Sequence, residues 1–306
     1  MIRQEFTITS SYDGLSLSSL MIAPENGAKG VVQFVHGMAE RKERYEELMT
    51  FLAGKGYICV IHDHRGHGAS IRSVKDRGYM GDYDGKAIVE DTVLLSRYIK
   101  EKYPDLPLIL FGHSMGSLVV RCYAQEYDEL LSGLIVCGSP SKNPLANVAI
   151  GLEKTIRLFF GARHRSKLLA FLSTGKGDKQ FPGEGDHAWL SGNRKSVEAY
   201  LADEACGFRF TCNGYENLFK LLKNTYQKEK YKVKNSILPI HFIAGEKDPV
   251  IVSPKAWEEA VDFMKALGYP NVTSKLYAGM RHEIHNELNR EVVYNDILAF
   301  IEGVGI

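Results

Sequence analysis

The 306-residue sequence has no excess of charge of either sign: 38 Lys and Arg stand against 37 Asp and Glu, a net of +1 with His neutral. That balance excludes a whole-molecule field that would gather nucleic acid or anionic lipid, so any such partner would need a local patch. No stretch approaches the roughly 20 consecutive apolar residues of a membrane span. Met1 to Ser10 alternate polar and apolar side chains and lack the basic segment followed by an apolar run that marks a secretory leader. Cysteine is scarce and odd in number: Cys59, Cys122, Cys137, Cys206 and Cys212, of which Cys59 and Cys137 lie in apolar runs that read as buried strands. A disulfide framework is not expected; free thiols in a reducing compartment are, and with them a cytoplasmic location. Internal repeats, low-complexity tracts and a linker long enough to separate independent domains are also missing.

What is present is 44% apolar and 25% charged residue, enough for one large core with an insertion. Phe6 to Thr9 and Leu15 to Ile22 alternate around the turn chemistry of Tyr12-Asp13-Gly14, which predicts an opening hairpin. Val31 to Val35, Tyr57 to Ile61, Leu108 to Phe111, Leu134 to Val136 and Ile240 to Ala244 are short, nearly continuous apolar runs, as strands buried on both faces of a parallel sheet are. Between them, Tyr45 to Leu52, Ala87 to Tyr103, Ser117 to Tyr127, Pro254 to Leu267 and Glu291 to Ile301 carry apolar residues three or four apart. The alternation predicts an α/β fold with helices on both faces of a mostly parallel sheet. From about Ser141 to Asn235 the strand runs stop. A divided core, residues 1–140 and 236–306, interrupted by a helical cap over 141–235, is therefore expected; the cap's first helix would turn Leu145, Ala149, Leu152, Ile156 and Phe159 inward as one stripe.

The strongest chemical signal is Gly112-His113-Ser114-Met115-Gly116, set between an apolar strand run and a helical pattern. That is the context of a nucleophile elbow, in which a strained turn needs very small residues two before and two after the serine. Ser114 is the candidate nucleophile, and the Met115 N–H, at a helix start, the candidate oxyanion donor. A second donor is expected after the third strand, where His36-Gly37-Met38 nominates the Met38 N–H; the His36 side chain reads as structural. A serine hydroxyl needs a base, and the base an orienting acid. In chain order these follow the nucleophile on loops at strand ends: Asp248 in Gly245-Glu246-Lys247-Asp248-Pro249-Val250, with Glu246 the weaker alternative, and His282 in Ala278-Gly279-Met280-Arg281-His282. Asp63-His64-Arg65-Gly66-His67-Gly68 is rich in ionisable groups, but a tight glycine-broken turn is a poor frame for a catalytic zinc, so it reads as structural, with no metal expected.

Through His36-Gly37-Met38, Asp63 to Gly68, the elbow, Gly245 to Val250 and Arg281-His282-Glu283, the chain resembles the α/β-hydrolase superfamily, and within it the monoacylglycerol lipase and lysophospholipase-like group of serine aminopeptidase S33-type hydrolases. The family usually has a further glycine after the elbow, where this chain has Ser117. The resemblance implies a carboxylic ester hydrolase without cofactor, acting on a small-molecule ester or lipid, with the cap over the triad shaping an acyl pocket. Phe159, Phe160, Phe181, Trp189 and Phe208 are candidate wall residues, and Phe171 and Phe210 join them; the same side chains could instead form the cap's own core. Arg157, Arg163, His164, Arg165 and Lys167, beside Phe159 and Phe160, read either as a solvated face or as a surface for transient contact with a membrane or micelle. Two rival readings stay open. A short-peptide aminopeptidase or amidase would hold an ammonium with Glu184, Asp186, Asp203 or Glu204, and a binding module would hold a ligand without turnover. No nucleic-acid partner is expected, and the oligomeric state is not legible in the sequence.

Overall fold

The computed structural model describes residues 1–81, 84–175 and 177–304. In chain order the core elements are β1 (Ile2–Thr9), β2 (Ser16–Ala23), β3 (Gly30–Val35), α1 (Glu46–Gly54), β4 (Tyr57–His62), α2 (Lys86–Lys102), β5 (Leu108–His113), α3 (Met115–Tyr127) and β6 (Gly133–Cys137). Four helices follow without a strand among the described residues: α4 (Ala146–Phe160), α5 (Lys167–Ser173), α6 (Arg194–Ala202) and α7 (Cys212–Thr225). The chain then returns through β7 (Ile240–Gly245), α8 (Pro254–Ala266), β8 (Val272–Tyr277) and α9 (Arg290–Gly303).

The strands form one sheet in the order β1-β2-β4-β3-β5-β6-β7-β8. The hairpin β1–β2 and the β2–β4 pair are antiparallel, and every later pair is parallel. Continuous apolar runs were the reason to expect burial on both faces, and the packing realises it residue by residue. Val31, Val35, Leu108, Leu110, Leu134 and Val136 face α2, α3 and α8, whereas their neighbours Val32, Phe34, Ile109, Phe111 and Ile135 face α1 and α9. The outer strand β8 leaves Thr273 to Lys275 exposed, and a lysine on an edge strand opposes pairing with a further chain.

The segment between β6 and β7 packs in two ways. α4, α5 and α7 lend Ile150, Leu169, Tyr215 and Leu221 to the main core. Phe181, Ala188, Trp189, Leu190, Val197, Tyr200 and Cys206 form a small apolar cluster of their own around α6. The stripe expected on α4 is corrected in part: Ala149, Leu152 and Ile156 are only half-buried, Leu145 and Phe159 are exposed, and the buried positions are Ala146, Ile150 and Glu153. Periodicity located an apolar side of α4, but Glu153 is buried facing α7, where Arg157 of α4 bridges it to Glu216, so the buried face is turned by part of a turn.

Candidate active site

At the end of β5, Ser114 is held at φ 53°, ψ −118°, a conformation that L-residues rarely adopt, and Met115 begins α3 at once. The turn closes only because its flanks lack side chains. A Cβ on Gly112 would sit 2.5 Å from the Gly116 carbonyl oxygen, and one on Gly116 would collide with the carbonyl of Val35. Two hydrogen bonds pin it: Ser114 N–H donates to Cys137 O at 2.9 Å, extending the β5–β6 ladder, and the Ser117 hydroxyl donates to Ser114 O at 2.5 Å. Ser117, the departure from the family pattern, thus braces the turn.

The turn after β3 lies against Ser114, since a Cβ on Gly37 would be 3.2 Å from Ser114 Cβ. Gly37 N–H donates to Glu40 Oε1 at 2.5 Å and Ala39 N–H donates to His67 Nε2 at 3.2 Å, while Ala39 itself takes φ 52°. The N–H groups of Met38 and Met115 have no acceptor among the described residues, as a pair of oxyanion donors requires. His36 Nε2 accepts from His64 N–H at 2.9 Å, and His36 Nδ1 is 2.8 Å from Gly37 O. Burial lowers the pKa of His36 and takes that of His67 to about 3, so both stay neutral and keep an acceptor nitrogen. Asp63 accepts from the N–H groups of Lys42 and Ala69. The histidine-rich turn is therefore a brace for the loop from His36 to Glu40.

Asp248 and His282 leave β7 and β8 at the same sheet edge, and His282 Nδ1 lies 2.8 Å from Asp248 Oδ2, both side chains buried. The other carboxylate oxygen, Oδ1, accepts from Val250 N–H at 2.8 Å, which fixes the rotamer. Burial of the ring opposes its charge, but the field and hydrogen bond of Asp248 outweigh it and raise His282 above its ordinary 6.5. Neither the Ser114 hydroxyl nor His282 Nε2 makes a hydrogen bond among the described residues, so the Asp248–His282 contact of a triad is formed here and the Ser114–His282 contact is not. Glu246, the alternative acid, is turned outward and accepts from Gly279 N–H at 3.1 Å.

Four side chains that the sequence reading passed over tie these loops together. Glu40 takes the Gly37 N–H, the Tyr45 hydroxyl at 2.9 Å and Arg44 at 2.9 Å. Arg44 also grips both oxygens of Glu283, each at 2.6 Å, next to His282. His113 lies between, with Nδ1 3.5 Å from Glu40 Oε1 and Nε2 3.2 Å from His282 O. Against the cost of burial, His113 and Arg44 hold Glu40 well below the usual carboxylate range, and Arg44 holds Glu283 at about 2. The steps from Glu40 to Gly37, Arg44 and Tyr45 are local, whereas the contacts of Arg44 with Glu283 and of His113 with the His282 carbonyl join residues 239 and 169 positions apart.

Among the described residues, His113, Cys137 and His285 bring potential metal-binding atoms within 4.8 Å of one another. Both His113 nitrogens already face partners, and burial, with Asp248 and Glu40 nearby, pushes the Cys137 thiol well up and keeps it protonated. The group reads as packing behind the His282 loop.

The candidate wall residues are scattered. Phe159 and Phe160 are exposed, at 75% and 66%, and Phe160 stacks on His164 at 4.9 Å. Phe171 is exposed as well. Phe208 and Phe210 stack on each other at 5.9 Å and meet His67 edge-on. Phe181 and Trp189 belong to the small cluster around α6, and the Trp189 indole lies 5.0 Å from the His282 ring, centroid to centroid.

A family model described as serine aminopeptidase, S33 matches residues 26–289. Monoglyceride lipase of Mus musculus is 27% identical over 279 residues, which cover 90% of this chain and 82% of that one. Monoacylglycerol lipase of Mycolicibacterium smegmatis is also 27% identical over 279 residues, covering 91% of this chain and 90% of that one. Among solved structures, a thermostable carboxyl esterase from Bacillus coagulans in complex with glycerol superimposes with a TM-score of 0.92 at 27% identity, over 100% of both chains.

Proposed function

The chain belongs to the serine aminopeptidase S33 family, and from that premise we propose that Ser114, Asp248 and His282 are the triad of a carboxylic ester hydrolase of the monoacylglycerol lipase or lysophospholipase-like kind. The observation that carries this reading is the buried 2.8 Å pair of His282 and Asp248 at the sheet edge that also bears the strained Ser114 turn. Ser114 attacks the ester carbonyl as His282 takes its proton, and the Met38 and Met115 N–H groups receive the oxyanion. His282 then protonates the leaving alcohol; water, activated by the same base, releases the acid from the acyl-enzyme. Asp248 keeps the imidazole in one tautomer and stabilises the imidazolium. Residues 141–235 act as the cap that shapes the acyl site.

The names of the relatives support an ester over a peptide substrate. So does the chemistry of the cap carboxylates: Glu184 and Asp203 are engaged by Arg281 and Arg41, and Asp186 and Glu204 are exposed, so none is kept for a substrate ammonium. A binding module without turnover would have no use for a buried acid–base pair beside a strained serine. The unpaired thiols support a cytoplasmic location.

The substrate reading extends to a lipid surface. Leu158, Phe159 and Phe160 on α4 and Leu168 and Phe171 on α5 are exposed near Lys167 in the chain, while Arg163 is paired with Asp76 and Arg165 with the carbonyls of Arg77 and Arg209. No helix of the described residues is long and apolar enough to cross a membrane, and the contact proposed is one of exposed side chains with the lipid surface. The protein is expected to co-sediment with anionic phosphatidylglycerol vesicles at low salt, and F159S/F160S to reduce that fraction; no difference between the two proteins would remove the lipid surface from the reading.

The activity is tested with an ester series from acetyl to long acyl chains, including monoacylglycerol and lysophospholipid, with Ser114→Ala alongside. Long-chain preference abolished in Ser114→Ala is expected. Fast short-chain turnover alone would make the protein a small-ester esterase, and turnover that survives Ser114→Ala would end the triad assignment.

A further inference from the structure

The cap is stitched to the loop that carries His282. Within the helical turn Gly177–Gln180, Asp178 accepts from His187 N–H at 3.0 Å through one oxygen and from Trp189 N–H at 3.3 Å through the other. The strap that follows runs along the histidine loop: Trp189 O accepts from His282 N–H at 3.3 Å, and Leu190 O from Glu283 N–H at 2.7 Å. Arg281 clasps the two together. Its guanidinium donates to Ala188 O at 2.6 Å and to Glu184 at 2.5 Å, and lies 3.9 Å over the Phe181 ring. A few residues on, the Glu287 carboxylate accepts from Gly192 N–H at 3.0 Å and from Arg281 N–H at 2.9 Å.

This construction sets the Trp189 indole against the catalytic imidazole, the rings 5.0 Å apart and inclined by 38°. The indole is seated tightly, since a Cβ on Gly177 would lie 2.6 Å from its Cγ. During ester cleavage His282 passes from neutral to positive, and an aromatic face within about 6 Å attracts a cation more than a neutral ring. The contact is therefore stronger in the transition state than before it, which is the condition for an effect on kcat.

We propose that Trp189 and Arg281 are positioning residues for His282: Arg281 fixes the strap 187–190 to the histidine loop, and Trp189 holds the imidazole plane and stabilises the imidazolium. The proposal rests on the triad reading above. Three acids, Asp248, Glu283 and Glu40, favour the imidazolium, His113 lies against the same ring at 4.7 Å with the planes tilted by 44°, and His187 and Asp178 flank the strap. A purely structural role in the cap cluster would lower stability and leave the titration of His282 where it was.

The test uses two readouts. In kinetics on the best ester, Trp189→Ala is expected to lower kcat by roughly two- to thirtyfold, the range a cation–π contact supplies, with KM nearly unchanged and the acid limb of kcat/KM moved to lower pH. Trp189→Phe should keep most of the rate, whereas Arg281→Met, which loosens the mount and keeps the indole, and Gly177→Ala, whose Cβ would push the indole from its seat, should lower kcat with KM held. The second readout needs no turnover. In Ser114→Ala combined with Trp257→Phe, Trp189 is the one remaining tryptophan of the sequence's two, and its emission should be quenched as His282 protonates, with a midpoint above 6.5. Adding His282→Gln should abolish the titration, and adding His187→Gln should not. Loss of the ester reading would leave this fluorescence titration intact. The proposal is overturned if the emission does not follow His282, or if Trp189→Ala and Trp189→Phe behave alike with an unmoved acid limb.

Discussion

At the scale of single residues, His282 stands between two opposing influences. Burial alone would push the ring toward neutrality, yet Asp248 wins and lifts its pKa above 6.5. A base must be neutral in the free enzyme, so kcat/KM for ester hydrolysis is expected to fall on an acid limb with its midpoint above pH 6.5. Asp248→Asn removes the charge and half the reason for the tautomer; it should drop kcat roughly ten-thousandfold and shift the remaining limb downward. A pH–rate series on the two proteins checks both, and a limb that stays in place would assign the titration to another group. The same shift touches stability with a definite sign: because the folded pKa is the higher one, the contribution of His282 is full below pH 6.5 and is lost as pH rises through the folded value.

At the scale of elements, the residues proposed for the site lie at β-to-loop junctions along the carboxyl edge of the sheet: Met38 after β3, Ser114 after β5, and Asp248 and His282 after β7 and β8. These junctions were legible because strained turns demand particular residues at fixed spacing, as Gly112 and Gly116 do. The cap helices follow no such local rule. In α4, Glu153 is buried against Glu216 of α7, with Arg157 bridging and Lys154 and Cys212 nearby; burial and the Glu216 charge raise the Glu153 pKa to about 7. A carboxyl whose folded pKa exceeds its ordinary 4.5 favours the packed state while protonated, so the α4–α7 contact should weaken as pH climbs from about 4.5 through 7. Amide hydrogen exchange over residues 146–160, corrected for the intrinsic rate, is expected to speed up across that interval, and Glu153→Gln to flatten the response. Equal protection at pH 5 and pH 8 would contradict this account. Phe159 and Phe160, expected as pocket walls and found exposed, show the same limit of pattern reading: an aromatic in a helix announces a preference for burial, not which neighbour supplies it.

At the scale of the whole molecule, the scarcity of cysteine acquires a structural meaning. All five thiols are unpaired and buried, and burial pushes Cys122 and Cys212 up to about 11 and Cys206 to about 12. The thiolate is the reactive form, so an aromatic disulfide reagent at pH 8 should find almost no reactive thiol in the native protein and five after unfolding in guanidinium. Fast reaction of even one thiol in the native state would show that its shell opens. The sequence by itself determined the α/β alternation, the hairpin at the start, the elbow and the two strand-end loops, because these depend on periodicity and on turns whose sterics are local. The tertiary structure alone decided the Glu40–Arg44–Glu283 network, the seat of Trp189 on His282 and the division of the cap into two packing units. Apart from the i,i+4 step from Glu40 to Arg44, those features arise from contacts between residues far apart in the chain, and no local spacing encodes which distant side chain will fill a given space or neutralise a given charge.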